Sequence, residues 1–191
     1  MRRRIVSRSR SVTTALALVL SGSLLLGGCG LLGKPEVLSA DAPLTMSVTS
    51  PAFTGGLIPA QFTCHGAAES PPIFWSGAPP GTKSLALVVD DSDAPISPQV
   101  YWVVFDIGPD TTDLQVDALP PHARVAYNSA HKADYDPPCP EGTSHGYRFT
   151  VYALNTFFGN SLPYQPQLLQ ALTAIAKHVI ARGTLTARAE P

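Results

Sequence analysis

Acidic residues are missing from the start of the chain. None occurs before Glu36, whereas Arg2, Arg3, Arg4, Arg8 and Arg10 supply five of the 13 basic residues. Charge is scarce overall, at 14% of 191 residues. From Cys29 onward the balance is 8 basic against 14 acidic side chains, a net charge of −6. A domain that acidic has no basic face with which to neutralise phosphates, which excludes a general nucleic-acid binder. Cysteine is rare, with three in all, and no C-x-x-C, H-x-H or H-E-x-x-H spacing occurs. Metal-ligand spacing is therefore absent. The one G-x-S-x-G match, Gly142-Thr143-Ser144-His145-Gly146, runs into the strand-like Tyr147–Leu154 rather than into a helix, so a serine nucleophile on a strand-to-helix elbow is unsupported. No internal repeat is present. What the chain does have is 45% hydrophobic residues, enough for a packed core, and 19 prolines with 15 glycines, which favour turns over a helical bundle. The length suits one substantial domain.

The first thirty residues carry an address. Met1 to Arg10 is basic, and Val12 to Leu26 is apolar, about the length of a signal h-region and short for a membrane span. The run ends in Leu26-Gly27-Gly28-Cys29, which resembles a bacterial lipobox, where small residues admit a peptidase and the cysteine thiol takes a diacylglyceryl group. The plainer alternative is an ordinary signal or short anchor helix in which Cys29 is incidental. On the lipoprotein reading, residues 1–28 are a signal peptide and 29–43 a lipidated cysteine with its tether. Residues 44–191 then form the domain. The tether, small, polar and without period, reaches at most about 45 Å. Acylated Cys29 would hold the domain on the cell membrane at its extracytoplasmic face.

In that compartment Cys64 and Cys139 are the two thiols left over. They either form a disulfide, as an oxidising setting favours, or pack as buried free thiols.

Short apolar runs divided by turn residues predict an antiparallel β domain of sandwich or barrel type. Strands are expected at Met46–Ser50, Gln61–Cys64, Ile73–Ser76, Ser84–Val89, Tyr101–Ile107, Tyr147–Leu154 and Thr184–Arg188. In Tyr147–Leu154, alternation places Tyr147, Phe149, Val151 and Ala153 on one face. Residues 109–128 read as loop. One helix is expected after Pro166, carrying Leu168, Leu169, Leu172, Ile175, Ala176 and Val179 at helical spacing. Lys177, His178 and Arg182 fall in its last turns and Gly183 serves as a left-handed stop.

Two places could carry chemistry. Asp90, Asp91 and Asp93 crowd three carboxylates into four residues at a strand end, where like charges call for a cation, a histidine or a shared proton. A solvated turn is the bland alternative. A calcium loop is disfavoured, since the required glycine and bidentate glutamate do not follow. His145 precedes a strong strand, where a lone histidine is usually structural or solvated. A Cys139–His145 nucleophile and base pair lacks a suitable helix N-terminus.

Taken in order, Phe62-Thr63-Cys64-His65-Gly66, Ser70-Pro71-Pro72-Ile73-Phe74-Trp75, Asp91-Ser92-Asp93-Ala94-Pro95, Tyr101-Trp102-Val103-Val104-Phe105-Asp106, Pro138-Cys139-Pro140 and His145-Gly146-Tyr147-Arg148-Phe149 resemble the phosphatidylethanolamine-binding protein family, in its bacterial Raf-kinase-inhibitor-like branch. The likeness runs from about Met46 to Arg188. It implies a mainly β sandwich, a large antiparallel sheet packed on a smaller one, with a C-terminal helix. It also implies a small pocket for phosphate-like anions or phospholipid head groups. Carried over, that pocket would use Asp91, Asp93 and Pro95 from the first box, Tyr101 from the central strand, and the Cys139 backbone, His145 and Tyr147 from the second. The carboxylates would orient and charge the imidazole. Several positions depart from the family pattern. Tyr101 stands where a histidine is usual, Glu141 where the second proline of P-C-P-P is usual, and Asp136-Pro137 where glycines are expected. A neutral phenol and an added carboxylate should weaken the hold on anions. The resulting expectation is a non-enzymatic, lipid-anchored binding module with no cofactor and no metal. The alternative is a protein-interaction or inhibitor module, with a protease or envelope partner, whose pocket is vestigial.

Overall fold

The computed structural model describes residues 42–94 and 98–191, so Cys29, the signal and most of the tether, and Pro95 of the first box, lie outside the described residues. The longest apolar runs become the inner strands of a five-stranded antiparallel sheet. In chain order β1 is Ser47–Thr49, β2 Ile73–Ser76, β3 Ser84–Asp91, β4 Val100–Ile107, β5 Asp113–Leu114, β6 Arg124–Val125, β7 His145–Leu154 and β8 Val179–Ala189; the helix α1, Leu168–Ala176, lies between β7 and β8. The large sheet has the order β6-β4-β3-β7-β8, and the small one β1-β2-β5. Every residue of β3 is buried, which is why Leu85 to Val89 are apolar without alternation.

The two faces of the large sheet are built by strand alternation. Leu85, Leu87 and Val89 of β3 join Tyr147, Phe149, Val151 and Ala153 of β7 in a core shared with Val48, Ile73, Trp75 and Leu114 of the small sheet. Ala86, Val88, Tyr152 and Leu154 face the other way and pack with Ala171 and Ile175 of α1. The helix thus covers the face that the small sheet leaves bare, and the β-sandwich expectation and the alternation of β7 both hold.

Local readings failed in three places. The expected helix was too long: α1 stops at Ala176, and Val179, Arg182 and Gly183 belong to β8. Helical spacing there is overridden by the β7–β8 ladder, which runs from His145↔Ala189 to Leu154↔Val179 and sets Gly183 opposite Val151. Gly183 is not a helix stop. Its missing Cβ makes room for the backbone of Met46, whose carbonyl a side chain would strike. Gln61–Cys64 is not a strand, because Phe62 N–H donates to the Pro59 carbonyl at 2.9 Å and Thr63 N–H to the Ala60 carbonyl at 3.0 Å, closing a short 3-10 turn. The expected loop at 109–128 contains β5 and β6, two-residue strands too short to show a period.

The fully buried Asp106, at φ 56°, marks an irregular step at the end of β4. Its carboxylate accepts from the Phe158 N–H at 2.8 Å, the Gly159 N–H at 3.0 Å and the Arg124 guanidinium at 2.6 Å. Arg124 in turn lies 4.6 Å over the Phe105 ring. This network pins the β7–α1 connection beneath the sheet.

Candidate ligand-binding site

The site forms where β3 ends and β7 begins. Consecutive residues on a strand point to opposite faces, so Asp90 and Asp91 part company. Asp90 is paired across the ladder with Arg148, and its carboxylate takes that guanidinium. Asp91 sits opposite Tyr147 on the face toward the small sheet. Its Oδ2 lies 2.8 Å from Nδ1 of His145, and its Oδ1 accepts the Asp93 N–H at 2.7 Å. Asp93 Oδ2 accepts the Gly146 N–H at 2.8 Å and stands 3.5 Å from the Arg188 guanidinium. The crowded carboxylates are therefore held apart by three different partners: Arg148, His145, and a backbone amide with Arg188.

Gly146 lets the acidic turn approach closely at this junction. The Ser92 N–H donates to its carbonyl at 2.8 Å, and a Cβ on Gly146 would come 2.6 Å from Ser92 Oγ. The acidic turn is thus laid flat on the first residues of β7. The His145 side chain is 33% exposed and Asp91 only 6%. Asp91 thus holds the imidazole by Nδ1, on the side away from Nε2.

Tyr101 enters through a bulge. The β3–β4 register runs Val89↔Trp102, then Asp90↔Val100, leaving Tyr101 unpaired on the longer side. Its ring meets that of Tyr147 edge to face at 5.2 Å. Burial, then the charge of Asp91, holds the Tyr101 phenol above its ordinary pKa, and burial with Tyr101 and Asp91 raises Tyr147 further. Both stay neutral hydroxyls at any physiological pH.

The second box is tied down by the Cys64–Cys139 disulfide, which spans 75 residues, and by the Cys64 N–H donating to the Pro138 carbonyl at 3.0 Å. The bridged alternative for the two thiols is therefore the one realised. Asp136 N–H donates to the Tyr101 carbonyl at 3.0 Å, so the loop before the box also grips the bulge. Cys64, His65 and Cys139 are the one group with metal-ligand proximity among the described residues, but both sulfurs are spent in the bridge. For the same reason Cys139 offers no thiolate to attack a substrate.

Three contributors had no local signal. Asn128, buried, donates to the carbonyls of Tyr101 and Asp134 and accepts from the Ala130 and Lys132 amides, which shapes the loop behind the site. Tyr135 donates to the Phe62 carbonyl at 2.8 Å and packs edge to face on Trp102. Arg188, in register with Gly146 and bonded to Ser144, sets a half-exposed cation beside Asp93, on the face opposite His145. It lies 40 or more residues from its partners, and only the β7–β8 pairing brings it there.

The model of the phosphatidylethanolamine-binding protein family matches residues 49–190. The chain is 38% identical over 190 residues to the lipoprotein candidate LppC of Mycobacterium tuberculosis, covering 89% of this chain and 90% of that one. Among solved structures it is similar to a candidate phosphatidylethanolamine-binding protein homologue, CT736, from Chlamydia trachomatis. That match has a TM-score of 0.68 at 34% identity and covers 77% of this chain and 98% of the other. It is similar also to YbcL of Escherichia coli, described as a member of the mammalian family, with a TM-score of 0.68, 31% identity, and 77% and 99% coverage. No helix among the described residues is long and apolar enough to cross a membrane.

Proposed function

The chain belongs to the phosphatidylethanolamine-binding protein family, and from that premise we propose that it is a lipid-anchored, non-enzymatic module that takes a small phosphate-like anion at His145. The observation that carries this reading is the 2.8 Å pair of His145 and Asp91, residues 54 apart in sequence. Asp91 holds Nδ1 and so presents the other edge of the imidazole. The Tyr101 and Tyr147 hydroxyls add neutral donors. Anchoring through acylated Cys29 at the extracytoplasmic face is supported by the signal-like first thirty residues and by the likeness to a lipoprotein candidate.

The test is an NMR titration in phosphate-free buffer with inorganic phosphate and with phosphoethanolamine, followed at His145 and Tyr147. Saturable shifts at millimolar ligand, abolished in His145→Ala, are expected. Silence at those concentrations ends the anion reading. It would favour the alternative, an interaction or inhibitor module, for which one observation speaks: Tyr101, a neutral phenol where the family pattern has histidine, faces the carboxylate of Asp91.

A further inference from the structure

On the helix side of the large sheet, three large apolar side chains stand in the open: Phe157 at 50% exposure, Tyr164 at 75% and Leu169 at 77%. Phe157 and Tyr164 border one hollow, and Leu169 with Leu162 and Lys177 borders the next. The segment between the two hollows is not slack. Arg124 donates to the Leu162 and Pro163 carbonyls at 3.2 and 3.1 Å while its other face is locked on Asp106. The side chains are thus presented from a pinned frame. A soluble domain has no reason to expose such a group together unless something covers it.

Charge points to what covers it. From Asn155 to Arg182 the chain has no aspartate or glutamate, but has Lys177, His178 and Arg182, in a domain that is otherwise acidic. Asp106 beneath the patch is neutralised by Arg124, and Asp113 sits on the small sheet, paired with Phe74. An apolar group fringed by lysine, with tyrosine at its rim, has the make-up of a surface that rests on an anionic bilayer.

The route of the chain agrees. Arg182 N–H donates to the Pro43 carbonyl at 2.9 Å and Leu44 bridges to Arg182, so the tether from Cys29 joins the domain at the α1 end of β8. Arg182 pairs with Tyr152, and His145 lies seven residues further along β7, about 23 Å away at the rise of a strand. Asp91 also projects from the opposite face to that covered by α1.

We propose that the helix side, through Phe157, Leu162, Tyr164, Leu169 and Lys177, docks on the bilayer that holds acylated Cys29, so that the Asp91–His145 site faces away from that membrane. The inference rests on the lipid-anchor reading and extends it. The anion would then come from solution or from an apposed surface, not from a head group of the anchoring leaflet.

The acylated full-length protein tests this in vesicles of phosphatidylethanolamine and phosphatidylglycerol. Cys29 is spent by acylation and Cys64–Cys139 by the bridge, so Leu169→Cys and Glu141→Cys each add one reactive thiol for an environment-sensitive fluorophore. The label at 169 should shift to the blue and be quenched severalfold more by spin-labelled lipid than the label at 141. Phe157→Ser with Tyr164→Ser, both exposed positions, should bring 169 down to the level of 141. Vesicle-bound protein with equal quenching at both positions, or stronger quenching at 141, overturns the docking while the anchor stands. Protein that stays in solution refutes the anchor and the docking together. Self-association of the unacylated domain that buries the 169 label would assign the patch to a second copy and overturn the proposal as well.

Discussion

Replacing Cys64 and Cys139 together by serine removes a covalent link across 75 residues and leaves no stray thiol. In the chain-entropy model a loop of that size restricts the unfolded ensemble by about 15 cal/mol/K, or roughly 4 kcal/mol at 25 °C. The folded state keeps its local ties, since the Cys64 N–H still reaches the Pro138 carbonyl and Tyr135 still reaches the Phe62 carbonyl. The loss should therefore come mainly from a freer unfolded chain. Urea unfolding of the double variant should show a fall of about 4 kcal/mol with a larger m-value, and a midpoint on heating lower by about 10 °C. Wild type treated with a dithiol reductant should match the variant, and the variant should not respond to the reductant. A loss below about 1 kcal/mol would refute the reasoning, because it would mean the unfolded chain was already restrained or the bridge strained the native state.

Asp106→Ala should cost about 3–5 kcal/mol by urea unfolding, since it strands the Arg124 guanidinium and two amides in a buried place; a cost under 1 kcal/mol would contradict the network. Gly183→Ala should lose about 1–3 kcal/mol through collision with the Met46 carbonyl, and a neutral result would mean the strand edge gives way freely. Tyr101 and Tyr147 have raised folded-state pKa values. Each therefore contributes stability that is complete below the ordinary phenol range near pH 10 and is lost as pH climbs through the raised value. Tyrosinate absorbance in Tyr101→Phe and Tyr147→Phe should lose only late-titrating signal, above pH 10, and loss of an ordinary phenol from either would count against the burial argument.

Much of the fold was legible because β3, β4 and β7 are long enough for apolar content and alternation to reveal both their state and their inner face. The ordered motifs likewise marked Asp91, Asp93, His145 and Tyr147 before any geometry existed. Where the reading broke, as at Val179 to Gly183, local spacing favoured a helix but ten cross-strand pairs with β7 favoured a strand, and the ladder won. A period over four residues is weak beside a continuous hydrogen-bonded edge.

Composition and motif order by themselves determined a β-rich domain, its acidic character beyond the arginine-rich start, and the residue types gathered in the two boxes, since these depend on local pattern and charge. Tertiary structure alone decided that Cys64 is bridged to Cys139, that Arg188 stands beside Asp93, and that Asn128 and Tyr135 shape the loop behind Tyr101. Those contacts join residues far apart in the chain, and only strand pairing and loop packing bring them within bonding distance.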